Sequence, residues 1–277
     1  MSYKGYTHPE LLFTPQDLQK RIHDKNIVII DTRETHEFAV GHIPNAVHWD
    51  LYGISLVDTS PAPFAAFMAM FALLLGNRGV TLDKTVVFYE NDSGMRAARG
   101  YWFTEYFGHK DVHVLDGGLN AYVKAGYETT TACIKPEHVA FKIAPVPHTF
   151  ISANEMRDAL GQKDFVPMDT RSAGEYYGRI VRAARGGAIP GAKHIEYIDN
   201  LDQTGAYKSA DQLKAMYEPL SVTPDKTIAC YCQGGYRSAH TYLALRLLGY
   251  PNVRNYIGSW KEWGDRPDLP IETPKES

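Results

Sequence analysis

The sequence predicts an α/β protein built as two doubly wound domains in tandem, each on a parallel sheet. Three observations predict it. Short apolar runs alternate with stretches of helical periodicity along the whole chain. The runs are apolar at every position, as in Ile27 to Ile30, which is what a parallel strand covered on both faces requires. Finally, the second half of the 277-residue chain repeats the first.

The repeat appears as four matches in one order. Thr14-Pro15-Gln16-Asp17-Leu18 leads into the strand Ile27-Val28-Ile29-Ile30-Asp31-Thr32-Arg33. Ser152-Ala153-Asn154-Glu155-Met156 leads at the same interval into Phe165-Val166-Pro167-Met168-Asp169-Thr170-Arg171. Gly41-His42-Ile43-Pro44-Asn45-Ala46 recurs as Gly187-Ala188-Ile189-Pro190-Gly191-Ala192. The strand Asp83 to Tyr89 recurs as Asp225 to Tyr231, and Leu115 to Leu119 as Tyr256 to Trp260. Two units of roughly 130 residues each suffice for a core of their own. Thr129 to Pro147, with three prolines and no clear period, reads as a linker. The expected division is a first domain of residues 1–130, a linker of 131–148 and a second domain of 149–277.

Within the first unit, Phe64 to Leu75 (FAAFMAMFALLL) is too short to span a bilayer and reads as a core or cleft-facing helix. In the second, Glu155 to Leu160 has an amphipathic helical pattern, Thr227 to Tyr231 reads as a buried strand, and Ser238 to Leu248 as a helix stopped by Gly249.

Between that last strand and helix lies Cys232-Gln233-Gly234-Gly235-Tyr236-Arg237-Ser238. A cysteine outside the carboxyl end of a strand sits where open α/β sheets place their ligands. Gly234 and Gly235 let backbone N–H groups turn inward, the helix start adds positive dipole, and Arg237 adds a charge. Each stabilises an anion, so the pattern points to a Cys232 thiolate acting as a soft nucleophile in an anion-seeking pocket. The four residues between Cys232 and Arg237 close a tight ring, suited to one extra sulfur atom rather than a phosphoryl group.

In this loop and in the repeat the chain resembles the tandem-domain rhodanese sulfurtransferases, over nearly its whole length. Gly258-Ser259-Trp260-Lys261-Glu262-Trp263-Gly264 is also similar to that family's closing segment. The resemblance implies two rhodanese-like domains, the second catalytic and the first degenerate and closing the cleft. Glu90 stands where the second unit has Cys232, in a loop one residue longer that also carries Asp92, and two carboxylates repel an anionic substrate. The resemblance further implies sulfur transfer from thiosulfate to cyanide or a thiol through a Cys232 persulfide, with Cys232 and Arg237 catalytic and Gln233, Gly234, Gly235, Tyr236 and Ser238 forming the loop. Asp50, nine residues after Gly41, matches an aspartate that mercaptopyruvate sulfurtransferases use for substrate. Their loop serine is replaced by Gly234, and the arginine and lysine of vertebrate-type thiosulfate enzymes by Glu175 and Gly234. Mercaptopyruvate is therefore the alternative donor, and a sulfur relay serving a protein partner the alternative from another class.

The missing cations point to an insertion of about eight residues in the second unit, Gly178 to Gly186, which holds Arg179, Arg182 and Arg185. Arginine suits a sulfonate by geometry, and Arg179 is the first candidate; the alternative is a solvated loop pairing with Glu175 or Asp202. Asp31 with Arg33, and Asp169 with Arg171, read as structural brackets, because both units keep them. Cys230 reads as a core thiol, Cys133 as a linker bystander, His240 as a packing residue and Tyr236 as a pocket wall. The histidines make no metal-ligand spacing, and no cofactor is implied. A net charge of -3 gives no basic footprint for nucleic acid and no polybasic membrane patch. Three cysteines without paired spacing, and no apolar signal region at the start, suit a reducing cytoplasm.

Overall fold

The computed structural model describes residues 3–276. In chain order the first half contains β1 (Leu12–Phe13), α1 (Pro15–Lys20), β2 (Ile27–Asp31), α2 (Thr35–Val40), β3 (Ala46–His48), α3 (Pro61–Gly76), β4 (Thr85–Tyr89), α4 (Met95–Tyr106), β5 (Val112–Leu115) and α5 (Gly118–Lys124). The second half contains α6 (Ala153–Ala159), β6 (Phe165–Asp169), α7 (Ala173–Tyr176), β7 (Lys193–His194), α8 (Ala210–Tyr217), β8 (Thr227–Tyr231), α9 (Arg237–Leu247), β9 (Val253–Asn255) and α10 (Ser259–Trp263). The strands form two sheets, in the orders β1-β5-β4-β2-β3 and β7-β6-β8-β9. Every ladder is parallel, with Ile29 opposite Val87 in the first sheet and Met168 opposite Cys230 in the second.

Both faces of each sheet are covered, which is why the strands are apolar at every position. In β2, Val28 and Ile30 face one core and Ile29 another; in β8, Ile228 and Cys230 face one core and Ala229 and Tyr231 another. The first core of each pair is the same one: a single cluster joins the inner faces of the two sheets through α4 and α9. Burying that surface couples the domains, at roughly 25 cal/mol per Å² of apolar area.

Polar ties reinforce the joint. Asp116 accepts hydrogen bonds from the Ser93 hydroxyl (2.7 Å), the Tyr207 N–H (2.9 Å) and Lys4 Nζ (2.7 Å). Glu262, buried on α10, accepts from the N–H (2.9 Å) and hydroxyl (2.8 Å) of Thr59. The amino-terminal segment also crosses to the other half, where the Thr7 N–H donates to the Leu247 carbonyl at 3.0 Å.

Helix α3, expected as a core or cleft-facing helix, packs into the shared core along one face. Met68, Phe71, Ala72 and Leu75 are buried, but Met70 and Leu73 on its opposite side are exposed. The continuous apolar run hid this two-sidedness, because its exposed positions are also apolar. No helix among the described residues is long and apolar enough to cross a membrane.

Candidate active site

β8 ends at Tyr231, and the chain turns at once into α9, whose first turn has no side-chain cap. Cys232 fills that place. Its sulfur, with the residue only 1% exposed, accepts from the Gly235 N–H at 3.2 Å and the Ser238 hydroxyl at 3.6 Å. Gly235 adopts φ +84, which aims its N–H inward; a Cβ there would stand 3.0 Å from the Ile257 Cα and carbonyl oxygen. Burial opposes ionisation of Cys232, but the Arg237 charge, the N–H groups of Ser238 and Gly234 and the Ser238 hydroxyl outweigh it and hold the thiol below its ordinary pKa. Cys230, two residues earlier and facing the shared core, is pushed far upward by burial.

The start of α10 supports the loop from beneath. The Trp260 N–H donates to the Cys232 carbonyl at 2.9 Å and the Lys261 N–H to the Gln233 carbonyl at 3.0 Å. Ser259 accepts from the Cys232 N–H at 3.0 Å and donates to the Tyr256 carbonyl at 2.7 Å. It does so at φ 52, unfavourable for a residue with a side chain.

The first unit repeats this framework without the chemistry. Gly118, at φ 56, takes the place of Ser259, and the Leu119 N–H donates to the Glu90 carbonyl at 2.8 Å. The Glu90 carboxylate accepts from the Arg96 (2.7 Å) and Ala97 (3.2 Å) N–H groups, so this domain fills its own anion cradle. Burial lifts the Glu90 carboxyl to about 7 against those two hydrogen bonds.

Cys232, Gln233, Gly234, Tyr236 and Arg237 line a cavity of about 540 Å³ with Arg182, Tyr197 and Lys261. Tyr52, Gly53, Ser55 and Met95 of the first domain complete its wall. The Tyr236 hydroxyl donates across the domain boundary to the Ile54 carbonyl at 2.8 Å. The second domain alone therefore does not make this cavity.

The candidate substrate-binding residues are scattered. Arg182 alone of the insertion's arginines reaches the cavity; its side chain is 58% exposed and its Nε lies 3.6 Å from Glu175. Arg179 points away and pairs with Glu276. Arg185 donates to the carbonyls of Trp263 (2.9 Å), Leu269 (3.0 Å), Gly264 (3.1 Å) and Arg266, clamping the insertion to the carboxyl-terminal segment. The expectation that these two meet the donor is corrected by that packing. Asp50 does not line the cavity: it accepts from the Tyr52 N–H at 2.8 Å, shaping the turn that does, and stands 3.8 Å from Arg96.

Arg237 is also less free than its position suggests. Glu175, 1% exposed, takes both guanidinium arms at 2.6 and 3.0 Å. Although burial raises the Glu175 pKa, the Arg237 hydrogen bond and charge, with the Ser172 N–H and hydroxyl, bring it down to about 2. The Asp-Arg brackets tie strands to loops: Arg171 binds Asp169 (2.6 Å) and the Gly187 carbonyl (2.7 Å), and Arg33 binds Asp31 and the Gly41 carbonyl at the same distances. His240 is buried against the Ser93 carbonyl (2.8 Å) and held down to about 4 by burial, a packing residue rather than a proton carrier. Cys133 is exposed in the linker.

A first domain that closes the cleft is what the resemblance implies, but Lys261, Tyr197 and the particular wall residues Tyr52, Gly53, Ser55 and Met95 were not singled out from the sequence. Ser259 and Lys261 lie in the Gly258 to Gly264 segment, and Ser259 carried a further signal, a serine where the first unit has glycine.

Comparison with known proteins gives these features a family. The model described as "Rhodanese-like domain" matches twice, over residues 14–125 and 152–266. The sulfur carrier protein TtuD of Thermus thermophilus is 34% identical over 98% of this chain and 100% of its own length. Thiosulfate sulfurtransferases of Azotobacter vinelandii and Pseudomonas aeruginosa are 33% and 32% identical, each over 95% of this chain and 97% of its own. Among solved structures, the anaerobic ergothioneine biosynthesis enzyme from Chlorobium limicola superposes with a TM-score of 0.87 over 98% of this chain and 72% of that one, at 21% identity, a likeness of fold alone.

Proposed function

Because the chain belongs to the rhodanese family and is a sulfurtransferase, we propose that it takes the outer sulfur of thiosulfate onto Cys232 and passes it to cyanide or a thiol. The observation that carries this reading is the Cys232 sulfur at the start of α9, held by the Gly235 N–H and the Ser238 hydroxyl on the floor of a cavity rimmed by Arg182 and Lys261. The thiolate attacks the sulfane sulfur, the S–S bond of thiosulfate breaks, and sulfite leaves with the bonding pair. The acceptor then attacks the terminal sulfur and Cys232 leaves as thiolate. Loop N–H groups stabilise the anionic sulfur in both half-reactions. Thiosulfate is preferred to mercaptopyruvate because Gly234 offers no hydroxyl at the loop. The first domain does no chemistry in this reading; it walls the cavity and fills its own cradle with Glu90.

A second reading, delivery of the sulfur to a protein partner, is favoured by the cavity's size. About 540 Å³ lies within the range of roughly 300–1,000 Å³ that holds ligands much larger than thiosulfate, and a relative of nearly full coverage is named a sulfur carrier protein.

Mass spectrometry tests both. Thiosulfate should add one sulfur, about 32 Da by the proposed chemistry, to the Cys232 peptide. Cyanide should remove it, and Cys232→Ser should fold normally but take none. The thiosulfate kcat/KM should exceed that for mercaptopyruvate by about tenfold or more. An adduct on Cys133 or Cys230 refutes the site, and a preference for mercaptopyruvate refutes the donor. A persulfide that turns over slowly with cyanide and thiols but fast with a carrier protein supports the second reading.

A further inference from the structure

Arg99, on α4 of the first domain, is completely buried. Its guanidinium carbon lies 3.7 Å from the centre of the Tyr236 ring, with Phe103 and Phe71 at 5.2 and 5.5 Å. One arm donates to the Leu51 carbonyl at 3.2 Å, while among the described residues Nε and Nη2 have no hydrogen-bond acceptor. A buried guanidinium is ordinarily matched by a carboxylate, because an unpaired charge in an apolar setting is strongly unfavourable. Arg171, equally buried, has Asp169; no carboxylate pairs with Arg99 among the described residues. The acidic groups within its electrostatic reach are the Tyr236 phenol and the Cys232 thiol.

We propose that Arg99 is a positioning residue of the catalytic loop and the buried counter-charge of the sulfur anion on Cys232, supplied by the domain that has no nucleophile. The proposal rests on Cys232 being the sulfur-carrying residue. Cys232 is surrounded by several charged or titratable groups: Arg237 and, through it, Glu175; Arg182 of the insertion; Lys261 on α10; Tyr197; Tyr236 and Arg99; and Cys230 behind it. Arg237 exerts the largest attraction, but Glu175 binds both its arms and offsets its charge at longer range. Arg182 is exposed, and Lys261 is exposed at the cavity rim, so salt screens both. Arg99 lies behind the Tyr236 ring in an apolar cage, where its field is not screened. Burial holds its own pKa down to about 10, and the negative forms of Tyr236 and Cys232 oppose that. An anion on Cys232 thus relieves an unpaired cation, and the cation lowers the energy of the anion. Through Leu51 and Tyr236, whose hydroxyl meets Ile54, the same side chain braces both the catalytic loop and the first-domain wall.

The test is the rate of Cys232 alkylation by iodoacetamide against pH, followed on its own peptide. Arg99→Met, which keeps length and loses charge, should raise the midpoint by about one pH unit and lower the thiosulfate kcat about tenfold. Arg99→Lys should restore most of both. If Arg99→Met does not fold, Arg99→Gln, which keeps a donor for the Leu51 carbonyl, takes its place with the same expected shift, and a further check comes from the wild-type protein. Its midpoint should hold between low and high salt if a buried cation faces the sulfur, and should climb if Arg182 and Lys261 set it. A folded Arg99→Met with the wild-type midpoint, or a wild-type midpoint that climbs by about one unit with salt, overturns the proposal. Absence of any sulfur adduct on wild-type Cys232 would instead overturn the reading beneath it.

Discussion

Arg179, Arg182 and Arg185 lie within one short insertion, yet their surroundings give them different tasks. Arg185 meets four carbonyls of the carboxyl-terminal segment, Arg179 meets Glu276, and Arg182 faces the cavity with most of its side chain in water. Hydrogen bonds from a charged donor contribute about 1.5–3 kcal/mol each net, and water entering the truncated site re-pairs some of the freed carbonyls. Arg185→Ala should therefore destabilise the fold by about 2–4 kcal/mol, seen in urea unfolding. Arg182→Ala should leave stability unchanged and raise the thiosulfate KM severalfold with kcat preserved, since it holds the donor equally in ground and transition states. Arg179→Ala should be silent in both. A KM effect from Arg179 with none from Arg182 would reverse this assignment. Arg237 differs again: Glu175 aligns its fork, and this explains why an acidic residue replaces the arginine expected six positions after Asp169.

The catalytic loop works as an element because two adjacent glycines have unequal duties. Gly235 must hold φ +84, and a Cβ there would press on the Ile257 backbone, which has no flexible end to yield. Gly234 has an ordinary φ, and its Cβ would meet only the Ser55 side chain, the Cβ at an ordinary 3.6 Å and the hydroxyl at 3.0 Å, a tip that can rotate. Gly235→Ala should destabilise by about 1–3 kcal/mol and abolish the persulfide, because the N–H aimed at the Cys232 sulfur moves. Gly234→Ala should fold as wild type and keep most of its activity. Calorimetry with thiosulfate turnover separates the two, and equal behaviour would show that backbone strain does not set the cradle. The first unit argues for the same framework from the other direction, since Gly118 keeps the geometry of Ser259 with no hydroxyl and no thiolate to support.

At the scale of the molecule, the two domains share one core and one cavity, and the unit without a nucleophile still titrates. The Glu90 carboxyl is lifted to about 7 by burial, above the 4.5 of a free side chain. An acid whose folded pKa is raised stabilises the fold fully below the unfolded value and loses that contribution as pH rises through the folded one. Wild-type stability should therefore decline from about pH 4.5 to pH 7 through this group. Glu90→Gln, which keeps an oxygen for the Arg96 and Ala97 N–H groups, should flatten that part of the profile and be the more stable protein at pH 8. Urea midpoints at half-unit intervals decide it; parallel profiles for the two proteins would show that Glu90 does not control the decline.

Sequence by itself determined the fold class, the repeat and the place of the candidate nucleophile. These are legible because they are local: apolar runs buried on both faces, a strand-to-helix junction with Gly234 and Gly235, and Asp-Arg brackets kept in both units. Charge spacing along the chain marks the insertion but not its outcome, since Arg182 and Arg185 are three positions apart and only packing turns one inward to the cavity and the other onto backbone carbonyls. Helix α3 shows the same limit: an apolar sequence does not record which face is covered. Tertiary structure alone decided who completes the site. Ser55, Tyr52 and Arg99 lie more than a hundred residues from Cys232 and arrive there because α4 and α9 bury a common core. Long-range electrostatics and shared burial depend on distances that the order of residues does not contain.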